Sequence, residues 1–198
     1  MSAIKLGRCQ LCFDELLQDA VHNIAASAAA RSVQISIRVP ASLSRLFAEK
    51  ELMRIALDNL LDNAVRYSQH GGRIMVEAAE SASELRISVT DEGMRIEPVD
   101  LPHVFARFAR NNPSGQRRPN GLGLGLYLAN EIITLHGGRI TLVSTPEAGN
   151  VFTVHLNKQV LSAAPAITDT LPLMVSEASA ESVLPVRRES APFKRLKG

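Results

Sequence analysis

The sequence predicts an α+β fold, a mixed β-sheet covered on one face by helices. Three observations lead there. Helical and strand patterns interleave in the order α-β-α-β-β-loop-α-β-β, without the regular alternation that winds helices around both faces of a parallel sheet. Hydrophobic residues make up 45% of the 198, enough for one packed core of ordinary size. Aromatic residues are only 4%, with no Trp, so that core must be built from Leu, Ile, Val and Ala.

The first helix is expected over residues 13–31, where Leu16, Leu17, Ala20, Val21 and Ile24 recur at three- and four-residue spacing. Val33, Ile35, Ile37 and Val39 then alternate with polar neighbours and stop at Pro40, which marks a strand over 33–39. A second helical pattern covers 51–67. Two strands, 73–79 and 85–91, follow it and share a polar turn. The chain is then irregular and rich in Pro, Arg and Asn until Gly121. A third helix, 124–136, is closed by Gly137-Gly138, glycines suited to the left-handed turn that ends a helix. Strands 140–144 and 151–156 flank a turn at 146–150.

Beyond residue 158 the composition shifts. Pro165, Pro172, Pro185 and Pro192 are spaced by Ser and Ala, and the stretch is expected to be a disordered tail over 159–198. Its basic end, Arg187-Arg188 and Lys194-Arg195-Leu196-Lys197, reads as a solvated patch. With a domain size of about 100–200 residues, the chain divides into a lead-in at 1–12, one domain at 13–158 and this tail.

Bulk charge names no partner, because 22 Lys and Arg stand against 20 Asp and Glu. The scarcity of aromatic residues argues against a stacking wall for single-stranded nucleic acid, so no nucleic-acid partner is expected. No segment approaches the roughly 18 consecutive apolar residues of a membrane span, and residues 1–10 lack the hydrophobic centre of a secretory signal. A cytoplasmic location is therefore expected. Cys9 and Cys12 form a lone Cys-x-x-Cys, half of a zinc site or a redox pair. Nothing elsewhere completes either, and small apolar residues entering a helix is the simpler reading.

Three segments carry chemistry. In the second helix Asn59, Asn63 and Tyr67 lie four residues apart and share a face. Asn is a poor mid-helix residue because its amide competes for backbone hydrogen bonds, so two on one stripe imply a task. A carboxamide oxygen can ligate Mg²⁺, and its NH₂ group can meet a phosphate. A solvated stripe beside Asp58 and Asp62 explains the pattern equally well. Next, Asp91-Glu92-Gly93 sits directly at a strand end. Its carboxylate can accept a hydrogen bond from an exocyclic amine such as that of adenine, or simply close an Asx turn. Finally, Gly121-Leu122-Gly123-Leu124-Gly125-Leu126 leads into a helix, where free backbone N–H groups favour phosphate. It has neither dinucleotide nor P-loop spacing.

In this order the three segments resemble the catalytic, ATP-binding domain of sensor histidine kinases, in the superfamily that includes gyrase, heat-shock chaperone and mismatch-repair ATPases. The resemblance covers roughly residues 10–157. Asn59-Leu60-Leu61-Asp62-Asn63-Ala64 looks like the N box, and Asp91-Glu92-Gly93-Met94-Arg95-Ile96 like the first glycine box. Phe105-Ala106-Arg107-Phe108 resembles the F box, and residues 121–126 the second glycine box.

The resemblance implies a two-layer α/β sandwich of the Bergerat type, with ATP and Mg²⁺ as cofactors. By it, Asn63 is the metal ligand, Asn59 supports metal and phosphates and acts in catalysis, Arg66 reaches a phosphate, and Tyr67 packs on adenine. Asp91 reads the adenine amine beside Gly93 and Ile96. Gly121, Leu122, Gly123, Leu124, Gly125 and Leu126 cradle the phosphates, and a lid at about 105–120 brings Arg110 to the γ-phosphate, with Arg107, Arg117 and Arg118 nearby.

Where hydrolysing members of the superfamily place a general-base glutamate, this chain has Asn59, and an amide cannot take a proton from water at neutral pH. The expected chemistry is phosphoryl transfer to a protein histidine. Partners implied are a phosphoacceptor histidine hairpin, in a longer chain or in trans, and a response regulator. No phosphoacceptor motif is present, and His22, His70, His103, His136 and His155 read as structural or surface residues.

Two positions depart from the family pattern, Arg95 for a glycine and Leu122 for a threonine. Arginine at 95 is expected to strain the turn against the nucleotide, since it lacks glycine's close approach and positive φ. A degenerate, non-catalytic interaction module and an anti-sigma-type serine kinase are the alternatives.

Overall fold

The computed structural model describes residues 4–5, 7–40, 43–109, 122–162 and 170–171. In chain order the elements are β1 (Ile4–Lys5), β2 (Cys9–Leu11), α1 (Phe13–Ala30), β3 (Gln34–Arg38), β4 (Leu46–Ala48), α2 (Lys50–Tyr67), β5 (Arg73–Glu80), β6 (Glu84–Asp91), a 3₁₀ turn (Leu101–His103), α3 (Gly125–Leu135), β7 (Arg139–Thr145), β8 (Gly149–Asn157), α4 (Lys158–Ser162) and β9 (Thr170–Leu171).

The main sheet has five strands in the order β3-β5-β6-β8-β7. Only the β3–β5 pair is parallel; the other three pairs are antiparallel. Strand alternation sorts side chains between its faces. Ile74, Val76 and Ala78 of β5, Leu85, Ile87 and Val89 of β6, and Phe152, Val154 and Leu156 of β8 are all buried. Against that face lie the apolar stripes of the helices: Phe13, Leu16, Leu17 and Ala20 of α1, Leu57, Leu60, Leu61 and Ala64 of α2, and Ala129, Ile132 and Ile133 of α3. The other face is polar. There Arg86, His155 and Arg139 align across three strands, beside an open cleft of about 410 Å³ lined by Arg38, Glu77, Ser88 and Thr153. This is the expected two-layer α+β arrangement, a mixed sheet with its helices on one side.

The helix ends are tied by long-range contacts. The Glu49 side chain accepts from the Leu52 N–H at 2.7 Å and caps α2. His136, fully buried after α3, accepts from the Glu49 N–H through Nε2 at 3.1 Å while its Nδ1 donates to the Ile132 carbonyl at 2.7 Å. Burial holds its pKa below the usual imidazole value. At the β5–β6 hairpin end, Glu80 is paired with Lys158 and takes hydrogen bonds from both the hydroxyl and the N–H of Ser44. Those contacts, Lys158 first, lower its pKa to about 2.

Three packed pieces fall outside the expected pattern. β2 pairs with β4, Cys9 to Ala48 and Leu11 to Leu46, and buries Leu11 and Ala48. Part of the lead-in is thus fastened to the domain, with Cys9 and Cys12 free thiols and Cys12 preceding α1. α4 buries Leu161 completely, so packed chain continues past residue 158. β1 pairs with β9 through Ile4–Leu171 and Lys5–Thr170. Each is too short for hydrophobic periodicity to reveal it. The rest of the tail, 163–169 and 172–198, lies outside the described residues. Among the described residues no helix is long and apolar enough to cross a membrane.

Candidate nucleotide site

Helix α2 is the rod on which the site is assembled. Its buried stripe fixes its rotation on the sheet and leaves Asn59, Asn63 and Tyr67 half-buried along the adjoining face. At a rise of about 1.5 Å per residue, the stripe from Asn59 to Tyr67 runs for about 12 Å. A glycine meets it at each end. A methyl group at position 125 would stand 2.7 Å from Asn59 Oδ1, and one at position 93 would stand 2.5 Å from the Tyr67 carbonyl oxygen. The first glycine segment and the start of α3 therefore approach opposite ends of one helix face, as close as glycine permits.

The polar groups on this face differ in their commitments. Asn59 donates through Nδ2 to the Ile55 carbonyl at 2.8 Å, leaving Oδ1 toward Gly125. The Asn63 carboxamide makes no hydrogen bond among the described residues. Asp58 is bound by Arg54 at 2.8 Å and Asp62 by Arg66 at 2.6 Å. Arg66 is thus held on its own helix in this conformation. Both carboxylates are in ion pairs through Oδ2, and Asp58 keeps its Oδ1 buried without a hydrogen-bond partner.

Asp91 ends β6 with 1% exposure. Its Oδ1 accepts from the Gly93 N–H at 2.9 Å and from the Asn150 NH₂ group at 2.9 Å. Its Oδ2 is buried with no partner. Desolvation pushes the pKa of this carboxyl up, against the opposing pull of the two donors. The Asx turn and the free acceptor, offered by the sequence as alternatives, coexist here on the two oxygens of one carboxylate. Such an orphaned buried acceptor fits an amine donor on a ligand.

Sequence reasoning passed over Asn150 and Ser144. Asn150 also donates to the Met94 carbonyl at 3.1 Å and accepts from the Ser144 hydroxyl at 2.7 Å, and Ser144 accepts from the Ile96 N–H at 2.9 Å. A signal was present. Asn is depleted in strands, and position 150 alternates in step with buried Phe152, Val154 and Leu156.

The torsional strain expected at Arg95 does not occur. Among the described non-glycine residues only Ser32 and Phe108 have positive φ, and Arg95 is exposed with its backbone outside the left-handed region. The turn is made without the torsion that requires glycine at that position.

In the second glycine segment, Gly123 has φ of +66° and accepts the Phe108 N–H at 3.1 Å. A methyl group there would stand 3.1 Å from the Ala109 nitrogen. Leu124 precedes α3, and no side chain caps the helix, so its first N–H groups are not taken by a cap. Leu122 is exposed and Leu126 is buried in the core, so this segment has backbone rather than side chains to offer an anion. Phe105 packs edge-on against Phe152 at 6.4 Å between ring centroids and anchors the chain that leads there. Gly121 and Arg110 lie outside the described residues, as do Arg117 and Arg118.

Among the described residues there is no group of three or more His, Cys, Asp or Glu able to hold a metal ion alone. The donor set on α2, a free carboxamide at Asn63, suits a cation that arrives with phosphate oxygens and water as its other ligands.

Residues 48–160 match the family model described as histidine kinase-, DNA gyrase B-, and HSP90-like ATPase. The sensor-like histidine kinase SenX3 of Mycobacterium tuberculosis is 32% identical over 145 residues, which cover 72% of this chain and 35% of that protein. The chain thus spans about a third of the length of curated relatives that it matches. The catalytic domain of histidine kinase ThkA superposes with a TM-score of 0.66 at 22% identity, over 76% of this chain and 95% of that one. ThkA has also been solved in complex with the response regulator TrrA, where the TM-score is 0.65 at 20% identity over 77% and 42%. Full-length ShkA in complex with AMPPNP gives 0.69 at 23% identity, over 83% and 34%. At these identities the structural likeness is one of fold.

Proposed function

We infer the function from one premise: the chain belongs to the histidine kinase-, DNA gyrase B-, and HSP90-like ATPase family, and its relatives are sensor histidine kinases. We propose that residues 13–158 bind Mg·ATP along α2 and donate its γ-phosphoryl group to a histidine on a phosphoacceptor hairpin, in a longer chain or in trans. The observation that carries the proposal is the orphaned Asp91 Oδ2, set at one end of a helix face whose other end meets the uncapped start of α3.

In this reading Asp91 Oδ2 accepts the adenine amine, with Tyr67, Gly93 and Ile96 around the ring. The triphosphate lies toward Asn59 and the backbone N–H groups of residues 121–126, with Arg66 released from Asp62 and Arg110 supplying positive charge. Asn63 holds Mg²⁺, which when bound neutralises charge on the transferring phosphates. The phosphoryl group leaves the β-phosphate oxygen as that P–O bond breaks, and a P–N bond forms to the acceptor imidazole. Water is a poor competitor because Asn59 stands where hydrolysing relatives place a general-base glutamate, and an amide cannot deprotonate it. The phosphorylated histidine then serves a response regulator, the class of partner with which ThkA was solved. AMPPNP in ShkA supports the same ligand class.

Isothermal calorimetry with and without Mg²⁺ tests the site. Asn63→Ala is expected to abolish the metal-dependent part of ATP binding, and unchanged affinity would refute the assignment. Transfer of label from γ-labelled ATP to an added phosphoacceptor hairpin, but not to a serine-bearing partner, is the expected result for the reaction.

A further inference from the structure

Asp91 faces Asn150 directly across the β6–β8 pair. Both side chains are buried, at 1% and 2% exposure, on the helix-covered face. Cross-strand neighbours at such a position are held within contact range by the register itself. The carboxamide is saturated in a way that fixes its orientation. Its two N–H groups go to Asp91 Oδ1 and the Met94 carbonyl, and its oxygen takes the Ser144 hydroxyl. Turning it over would set its oxygen against a carboxylate and a carbonyl, and its NH₂ against a hydroxyl whose hydrogen already points toward it. Ser144 is fixed in turn, because its oxygen is needed by the Ile96 N–H. The relay runs from Ile96 through Ser144 and Asn150 to one oxygen of Asp91.

We propose that Asn150 is a positioning residue for base recognition: with the Gly93 N–H it commits Asp91 Oδ1 and thereby leaves Oδ2 as the single acceptor for an amino group on the ligand's ring. The proposal rests on Asp91 as the base-contacting group. A carboxylate free to turn can offer either oxygen and adapt to more than one ring edge. One pinned through Oδ1 accepts a purine with an amino group at the contacted position and repels one with a carbonyl there. Asn150 acts through Asp91 and does not itself touch the ring, so its loss should change selectivity more than fold.

The test compares binding of ATP and of inosine triphosphate, which differ at that ring position, in the wild type, Asn150→Leu and Ser144→Ala. Leucine keeps the length of the side chain without its donors. Wild type should favour ATP by at least about 100-fold, because a site built to hydrogen-bond one ring substituent rejects the analogue that lacks it. Asn150→Leu should lower that ratio about tenfold and Ser144→Ala about threefold, each with a melting temperature lowered by the buried partners it leaves unsatisfied. Amide exchange at Ile96 should quicken in both variants, which reads the relay without any nucleotide. An unchanged ratio in Asn150→Leu, or in Ser144→Ala should the first variant not fold, overturns the proposal. A wild type that binds both nucleotides equally while Ile96 exchange still quickens in Asn150→Leu overturns it through the failure of Asp91 as base reader. Slow, unaltered Ile96 exchange in both variants overturns the relay itself.

Discussion

Two acids stand at opposite ends of the β5–β6 hairpin in opposite surroundings. Glu80 has Lys158 and the Ser44 hydroxyl on one oxygen and the Ser44 N–H on the other, and its pKa falls to about 2. Asp91 has two neutral donors on one oxygen, none on the other and, among the described residues, no cation beside it, and its pKa rises. Glu80 is a fastener that joins the hairpin to the segment before β4 and to the start of α4. Asp91 is buried at a cost that its two donors only partly offset, the condition under which a perturbed acid marks a binding site.

Removing each carboxylate should separate the two roles. Asp91→Asn is expected to weaken ATP binding by about 30- to 100-fold, equivalent to losing one hydrogen bond to a charged group of about 2–3 kcal/mol. Its melting temperature should hold or rise, because an uncompensated buried charge has been removed. A variant that melts earlier and still binds ATP would make Asp91 the structural acid and erase the contrast. Glu80→Gln should do the reverse. Its ATP affinity stays at the wild-type value, while denaturant unfolding shows a loss of about 1–3 kcal/mol from partners left unsatisfied.

Acid titration sharpens the same contrast through its signs. Glu80 has a folded pKa below its unfolded value near 4.5, so its contribution is present above that pH and is lost as pH falls toward 2. For Asp91 the folded pKa lies above the unfolded value of 3.8, so its protonation favours the fold as pH falls through that interval. ATP binding, which needs the ionised form, weakens over the same fall. Unfolding at a series of pH values on Glu80→Gln and Asp91→Asn should show the two slopes with opposite sign, the smallest of these effects. Parallel slopes would remove the distinction.

Most of the fold was legible because its large elements carry unambiguous periods. Strands expected at 73–79 and 85–91 are Arg73–Glu80 and Glu84–Asp91, and the helix expected at 51–67 is Lys50–Tyr67. The Asn stripe was visible for the same reason, since a four-residue spacing is a statement about one helix. Asn150 escaped notice because its meaning lies in register: it is 59 residues from Asp91 in sequence and opposite it in the sheet. His136 and Glu49 are likewise 87 residues apart, and no local pattern pairs them. Arg95 shows the converse error, in which a family expectation of glycine was read as a torsional need that this turn does not have.

The position of Asp91 is a matter of parity. It is buried because it is an odd-numbered residue on a strand whose odd-numbered residues Leu85, Ile87 and Val89 all face the helices. A single-residue insertion within that run would rotate the carboxylate to the wet side and bring the Thr90 hydroxyl into its place, whereas a two-residue insertion would restore its parity one step further along. The hairpin therefore counts for the site, and lengthening it by even or odd steps has unlike consequences even where every individual side chain is kept.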